Sequence, residues 1–228
     1  MELAGLYLYS YLIGSVPTAY ILGRMVKGID IRLYGSGNVG GTNVFHNVGK
    51  GWGILLGVFE LFGKGASPVW IGMHVLDLDR SSYALMGAPL MSMAGHNWSV
   101  LLKFGGGRAI GVAIGALGAL AWKELVVFAA VAIGGWALFR SSGVWVLIAL
   151  LLLPVAAVVL GEPASVAWFC VGIVVVTGLK RLHANLAPMP PDIPKKRVLL
   201  NRLIMDRDVA EHAAWVNRGP RERDGTVS

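Results

Sequence analysis

Long apolar blocks follow one another along the chain, separated by short stretches that gather glycine, small polar residues and most of the charges. A helix that crosses a membrane needs about 20 mostly apolar residues. Measured that way, the blocks predict spans at residues 3–22, 53–74, 83–102, 109–122, 125–139, 144–160 and 163–179. The count is seven, with the fourth and fifth short enough to borrow flanking residues. Six is the other count, if 83–102 is re-entrant. The first block lacks a basic run and an Ala-x-Ala cleavage pattern, so it reads as a retained helix.

Composition narrows the class. Of 228 residues, 55% are hydrophobic and 14% charged, where a soluble domain carries about 25% charged. Mean hydropathy is +0.64. So few charges exclude a water-soluble globule of this length and a disordered chain. The single cysteine, Cys170, excludes an intramolecular disulfide and a cysteine-cluster zinc site. No other metal-ligand spacing appears, and no cofactor is implied. A net charge of +7 in so apolar a chain points to the cytoplasmic face of a membrane rather than to nucleic acid. The expected fold is an all-α polytopic integral membrane protein, with a transmembrane domain over 1–187 and a cytoplasmic tail over 188–228.

Lys and Arg set the orientation. With the N-terminus outside, the inner loops hold Arg24, Lys27, Arg32, Lys50, Lys103, Arg108 and Arg140. The tail adds Lys180, Arg181, Lys195, Lys196, Arg197, Arg202, Arg207, Arg218, Arg221 and Arg223, so seventeen of the twenty lie inside. Arg80 and Lys123 remain outside, and Lys64 falls within the second span. The prediction is N-out and C-in.

Small residues at four-residue spacing, Gly53 with Gly57 and Gly111 with Gly115 and then Gly118, predict close helix packing. Pro188, Pro190, Pro191 and Pro194 make a stiff linker. Beyond it, residues 195–215 place Val198, Leu199, Leu203, Met205, Val209 and Ala213 among charges. An amphipathic helix on the inner leaflet and a simple solvated tail both fit.

The polar stretches gather at the inner ends of the spans. In the first, Gly35, Gly37, Gly40 and Gly41 alternate with Ser36, Asn38, Thr42 and Asn43. Such a loop can wrap a phosphate with backbone N–H groups, although a tight turn has the same composition. It is not a Walker A loop, since no Gly-Lys-Ser/Thr follows. The second stretch combines His96, Lys103, the run Gly105-Gly106-Gly107 and Arg108 before a helix, which suits a dianion. Lys103 and Arg108 alone would only mark the headgroup level. Lys64 is costly inside a span and faces either a cavity or Glu60, four residues earlier on the same face. Asn185, just inside the last helix, is a weaker candidate. His74 and Asp79 match the H-x4-D spacing of another acyltransferase class, but they fall in an outer loop and are set aside as chance.

Taken together, the two glycine loops are more specific than either alone. Residues Gly35 to Val44 resemble the signature of the bacterial acyl-phosphate:glycerol-3-phosphate acyltransferases (PlsY). Gly95-His96 followed by Phe104 to Arg108 is similar to that family's second loop, and Glu60 with Lys64-Gly65 to its Asp/Lys-Gly segment. Arg181 and Asn185 resemble its last motif, and Ser141 or Ser142 its serine after the fifth span. The departures are His46 where Arg is usual, Arg108 where Lys is usual, Val39 and Ser99 in place of Pro, and Leu182 in place of a His. Glu60 and Lys64 are also one residue further apart than the family's pair.

The resemblance implies transfer of a fatty acyl group from acyl phosphate to the 1-hydroxyl of glycerol 3-phosphate, giving lysophosphatidate and phosphate for phospholipid biosynthesis. The implied partners are those two substrates and membrane lipids. An acyl phosphate is already activated, so the protein needs to position two anions and stabilise developing charge, without a covalent nucleophile. His96, Arg108, Lys64 and Ser36 are the expected catalytic set. Gly35, Gly37, Asn38, Gly40, Thr42, Asn43, His46, Lys103, Gly105, Gly106, Gly107, Ser142, Arg181 and Asn185 are the expected binding set. His46 would hold phosphate best when protonated. His96 could support its loop, orient a substrate or act as base. A transporter of a phosphorylated solute and an inactive family member are the rival readings. The transporter fits less well, because the polar stretches are confined to one side and no inverted repeat is visible.

Overall fold

The structure, a computed structural model, describes residues 1–186, 189, 190 and 192–208. Among the described residues every regular element is helical. Helix α1 (Glu2–Ser15) stops at Val16-Pro17, and α2 (Thr18–Lys27) restarts in a new direction. After a short turn at Ile31–Leu33 come α3 (Gly41–Asn47) and α4 (Lys50–Val58). Helix α4 continues through a π-helical segment, Phe59–Ala66, into α5 (Ser67–His74). Then follow α6 (Tyr83–Asn97), α7 (Ile110–Leu120), α8 (Trp122–Phe139), α9 (Ser142–Val159), α10 (Ala164–His183) and α11 (Lys195–Met205).

Among the described residues, four helices are long and apolar enough to cross a membrane: Lys50–His74, Trp122–Phe139, Ser142–Val159 and Ala164–His183. Their outward faces are strongly apolar, with Ile133, Leu138, Val155, Val158 and Trp168 all exposed. In water this would be unfavourable; in lipid it is the expected surface. The core lies between α6, α7, α9 and α10, around Leu85, Met93, Val112, Leu117, Leu150, Leu153, Phe169 and Ile173. A smaller cluster of Ile31, Val39, Val44, Leu56 and Leu102 supports the first glycine loop.

Several expected boundaries move for physical reasons. The span at 3–22 is broken, because Pro17 has no N–H to continue the helix. The span at 83–102 ends as α-helix at Asn97 and finishes in a turn, Val100–Leu102, with Lys103 left-handed at φ 53°. The span at 109–122 shrinks to Ile110–Leu120: Ala109 is left-handed at φ 55°, and Trp122 belongs to α8. In the tail, the expected helix over 195–215 ends at Met205, where Asp206 turns left-handed at φ 57°. Pro188, Pro191, Val209, Ala213, Arg218, Arg221 and Arg223 lie outside the described residues.

Glycine spacing is only partly used for packing. A Cβ on Gly53 would meet Phe45 Cα at 2.8 Å and one on Gly115 would meet Leu61 Cα at 2.8 Å, so both mark backbone approaches. Gly57 has nothing within 4 Å and packs against no neighbour. A further close seam joins α1 to α6. A Cβ on Gly14 would overlap Ser92 backbone, and one on Gly95 would stand 3.0 Å from Ser15 N. Tyr11 Oη donates to the Trp98 carbonyl at 2.9 Å, and Ser99 Oγ to the Ser15 carbonyl at 2.5 Å. Small residues that admit polar cross-links are how helices hold together without a hydrophobic driving force.

Candidate functional site

The break in the first span starts the site. Where the helix fails, the Val16 carbonyl accepts from Thr18 N at 2.9 Å rather than from a helical donor, and Lys64 Nζ also donates to it at 2.6 Å. Lys64 is 2% exposed, and its own carbonyl accepts from Ser92 Oγ at 2.7 Å. The π segment carries Lys64 to this point. An extra residue in a helix is absorbed as a wider π turn, which matches the longer Glu60-to-Lys64 spacing. Of the two alternatives for Lys64, the Glu60 ion pair is not closed: Glu60 lies instead 3.9 Å from His96 Nδ1. That is beyond hydrogen-bond reach, and Glu60 Oε1 has no hydrogen-bond partner.

Lys64, Glu60 and His96 line one pocket with residues from the α1–α2 break and the glycine run. Gly106 and Gly107 are in its wall, and Val39 brings the first loop to it. The hydroxyls in the lining are spent on backbone: Ser99 Oγ on Ser15, Ser15 Oγ on Gly95 at 3.4 Å, and Thr18 Oγ1 on Val16 at 3.4 Å. None is directed as a nucleophile. Cys170 is fully buried in the core, away from the pocket.

The glycine run does not offer its amides to an anion as expected. Gly105 N donates to the Leu102 carbonyl, Gly106 N to Asn185 Oδ1 and Gly107 N to the His96 carbonyl, all at 3.1 Å. These glycines serve close approach instead. A Cβ on Gly106 would stand 2.6 Å from the Asn97 carbonyl oxygen, and one on Gly107 would stand 2.6 Å from the Val39 oxygen and overlap the His96 ring.

Free amides are found in the first loop. Among the described residues, the N–H groups of Val39, Gly40, Gly41 and Thr42 have no acceptor. Gly35 and Gly37 adopt positive φ, at 51° and 70°, which shapes the turn. Ser36 Oγ accepts from Asn38 N at 3.2 Å. Asn43 is turned inward: its amide donates to the carbonyls of Ile31, Tyr34 and Asn38 at 3.0, 3.1 and 2.9 Å. It braces the loop, and Thr42 and His46 are the exposed polar side chains beside it.

Arg108 stands outside the pocket lining. Its Nη1 donates to the Lys180 carbonyl at 2.9 Å, and its Nε faces Asp206 Oδ1 at 2.7 Å, an ion pair out of line for a hydrogen bond. Arg181 Nη1 holds the Gly143 and Leu203 carbonyls at 3.1 and 2.9 Å, tying α9 to the end of α11. Arg108, expected to carry phosphate charge, and Arg181, expected in the binding set, are therefore both engaged with the protein's own carbonyls and with the residues that follow α10. The side chains of Lys103 and Ser142 are exposed and bond to nothing among the described residues. Asn185 matters more than expected. It pairs with Gly106 through both amide atoms, donating from Nδ2 at 3.0 Å.

Two residues escape a reading of the sequence alone. Glu60 enters it only as a partner for Lys64, and Lys180 looks like one more headgroup cation. Besides Lys64 itself, the signal for the site's centre is Pro17, which ends a helix inside an apolar block. The His74–Asp79 spacing is accounted for by local structure. Asp79 accepts from Ser81 N at 2.6 Å and from its hydroxyl, which holds the carboxyl below its ordinary range, and His74 takes no part.

The chain is similar to known proteins along most of its length. A model of the family described as glycerol-3-phosphate acyltransferase matches residues 4–187. Glycerol-3-phosphate acyltransferase 4 of Dehalococcoides mccartyi (strain CBDB1) is 32% identical over 218 residues, covering 91% of this chain and 90% of that protein. The glycerol-3-phosphate acyltransferase of Desulforudis audaxviator is 43% identical over 151 residues, covering 64% and 72%. The crystal structure of PlsY, an integral membrane glycerol 3-phosphate acyltransferase, in its glycerol 3-phosphate form superposes with a TM-score of 0.74 at 27% identity, over 89% of this chain and 94% of that one. By sequence along nearly its whole length and by fold, the chain belongs to the glycerol-3-phosphate acyltransferase family.

Proposed function

We propose that this membrane glycerol-3-phosphate acyltransferase takes its acyl group from an acyl phosphate. The observation that carries the reading is the pocket's chemistry: a lysine, a buried histidine near a carboxylate, and no hydroxyl or thiol directed as a nucleophile. Such a site suits an already activated donor, and an acyl phosphate, unlike a thioester, puts a phosphate at the reacting carbonyl for Lys64 and the open amides of the first loop to hold. The 1-hydroxyl oxygen of glycerol 3-phosphate attacks the acyl carbonyl carbon. The bond from that carbon to the phosphate oxygen then breaks. The hydroxyl proton passes to His96 or to the departing phosphate, leaving lysophosphatidate and inorganic phosphate.

Lys64 supplies positive charge to one phosphate, and the open amides of the first loop cradle a phosphate beside it. Glu60, 3.9 Å from His96 Nδ1, orients the ring only if substrate binding closes that gap to a hydrogen bond. Arg108 reaches a phosphate only if Asp206 gives it up. Purified protein in detergent is expected to release phosphate from acyl phosphate in the presence of glycerol 3-phosphate. Faster turnover with acyl-CoA under matched conditions would reject the donor, and no turnover with either would reject catalysis.

The placement that goes with this reading is seven spans, N-out and C-in, in the inner membrane, with 1–187 as the catalytic domain and 188–228 as a cytoplasmic tail. It rests on the distribution of Lys and Arg. Single cysteines at Ser36 and Asp77 should be labelled from opposite sides. Labelling of Asp77 from the cytoplasm would overturn the placement.

A further inference from the structure

Lys180 is fully buried at the end of α10. Its ammonium donates to the Asn97 carbonyl and, at 2.7 Å, to Asn185 Oδ1, and it lies 5.5 Å from the centre of the Trp98 ring. Among the described residues no carboxylate pairs with it. An ammonium removed from water with only neutral partners is costly, and a structural helix end has no need of one.

What the ammonium does is set Asn185. Oδ1 of that amide accepts from both Lys180 Nζ and Gly106 N, while Nδ2 donates to the Gly106 carbonyl. Turned over, the amide would oppose its own NH2 to two donors. We propose that Lys180 is a positioning residue of the acyltransferase site. It locks Asn185 against Gly106 and so fixes the pocket wall that faces Lys64 and His96. The inference rests on the catalytic reading above for its kinetic consequence, but the locking itself does not depend on it.

The test pairs kinetics with hydrogen exchange. Lys180→Met keeps the stem and removes the donors. Its KM for a phosphorylated substrate should rise roughly ten- to a hundredfold, the effect of one lost charge-assisted hydrogen bond. Mere loss of folded enzyme would instead lower apparent kcat at unchanged KM. Lys180→Gln retains an N–H donor and should recover part of the loss. The double variant Lys180→Met/Asn185→Ala should be no worse than Asn185→Ala alone, because both act on the same wall. Backbone exchange across residues 105–107 should speed up in Lys180→Met without substrate present.

Wild-type KM for both substrates in Lys180→Met, or single losses that multiply in the double variant, would overturn the proposal, as would unchanged exchange at 105–107. If Lys180→Met does not fold, the same cycle is run with Lys180→Gln, and the same outcomes support or overturn the proposal. An inactive wild type would count against the catalytic reading alone, since the exchange measurement still decides the positioning.

Discussion

The two ends of the helix bundle use similar charges in opposite ways. Away from the glycine loops, Glu162 accepts from Arg80 at 2.9 Å and from Lys123 at 2.8 Å, and Arg80 also donates to the Leu120 carbonyl at 2.7 Å. One carboxylate thereby ties together three helix connections. At the glycine-loop end, Glu60 stands off from His96, and Lys64 has a single backbone partner. The first cluster is closed and leaves nothing to bind. The second is buried and half-satisfied, which is costly unless a ligand completes it. Glu124 qualifies the contrast, because both its oxygens are buried without a hydrogen-bond partner at the otherwise closed end.

The sharpest way to break this comparison is to exchange the two clusters' expected effects. Lys64→Met should lower kcat/KM by roughly a hundredfold, the value of a charge-assisted phosphate contact, with little change in thermal unfolding. Glu162→Gln should do the reverse, lowering the unfolding temperature by a few degrees at most and leaving turnover per folded molecule unchanged. Equal losses of activity from both would remove the distinction.

A smaller effect separates glycines within the site end. Gly107→Ala forces a methyl into the Val39 oxygen and the His96 ring, and should cost roughly tenfold in kcat/KM. Gly57→Ala has open space and should be silent by the same assay. The smallest expected effect concerns His46, exposed on α3 beside Phe45 at a ring separation of 5.6 Å. Arg carries a permanent charge and a forked donor set at that position, so His46→Arg should lower the KM for one phosphorylated substrate a few-fold if the side chain touches its phosphate. An unchanged KM for both substrates in His46→Arg would take His46 out of the site.

The sequence makes some of this legible and hides the rest for identifiable reasons. Spans are readable because lipid imposes one length and one polarity, and Lys64 is conspicuous because it violates that polarity. Direction is not readable. Asn43 and Arg181 have the composition of ligands for an anion, yet their donors point into their own backbone neighbourhood. Gly105, Gly106 and Gly107 announce a crowded place without saying whether their amides or their missing side chains matter. Lys180 is misread for a general reason: a cation near the end of a span normally snorkels to water, and nothing local marks one that turns inward to Asn97 and Asn185.

The break at Val16-Pro17 carries a consequence for how such a protein can change over generations. Replacing Pro17 by a good helix former would let α1 and α2 fuse, and the amide of Tyr20 would then claim the Val16 carbonyl in the regular α pattern. The chain would gain a longer, more regular helix. The Val16 carbonyl would turn along the helix axis, and Lys64, which it now receives at 2.6 Å alongside Thr18 N at 2.9 Å, would lose its backbone partner. A mutation that any helix-propensity argument would score as an improvement therefore disarms the pocket, so selection for robustness and selection for turnover pull this one position in opposite directions.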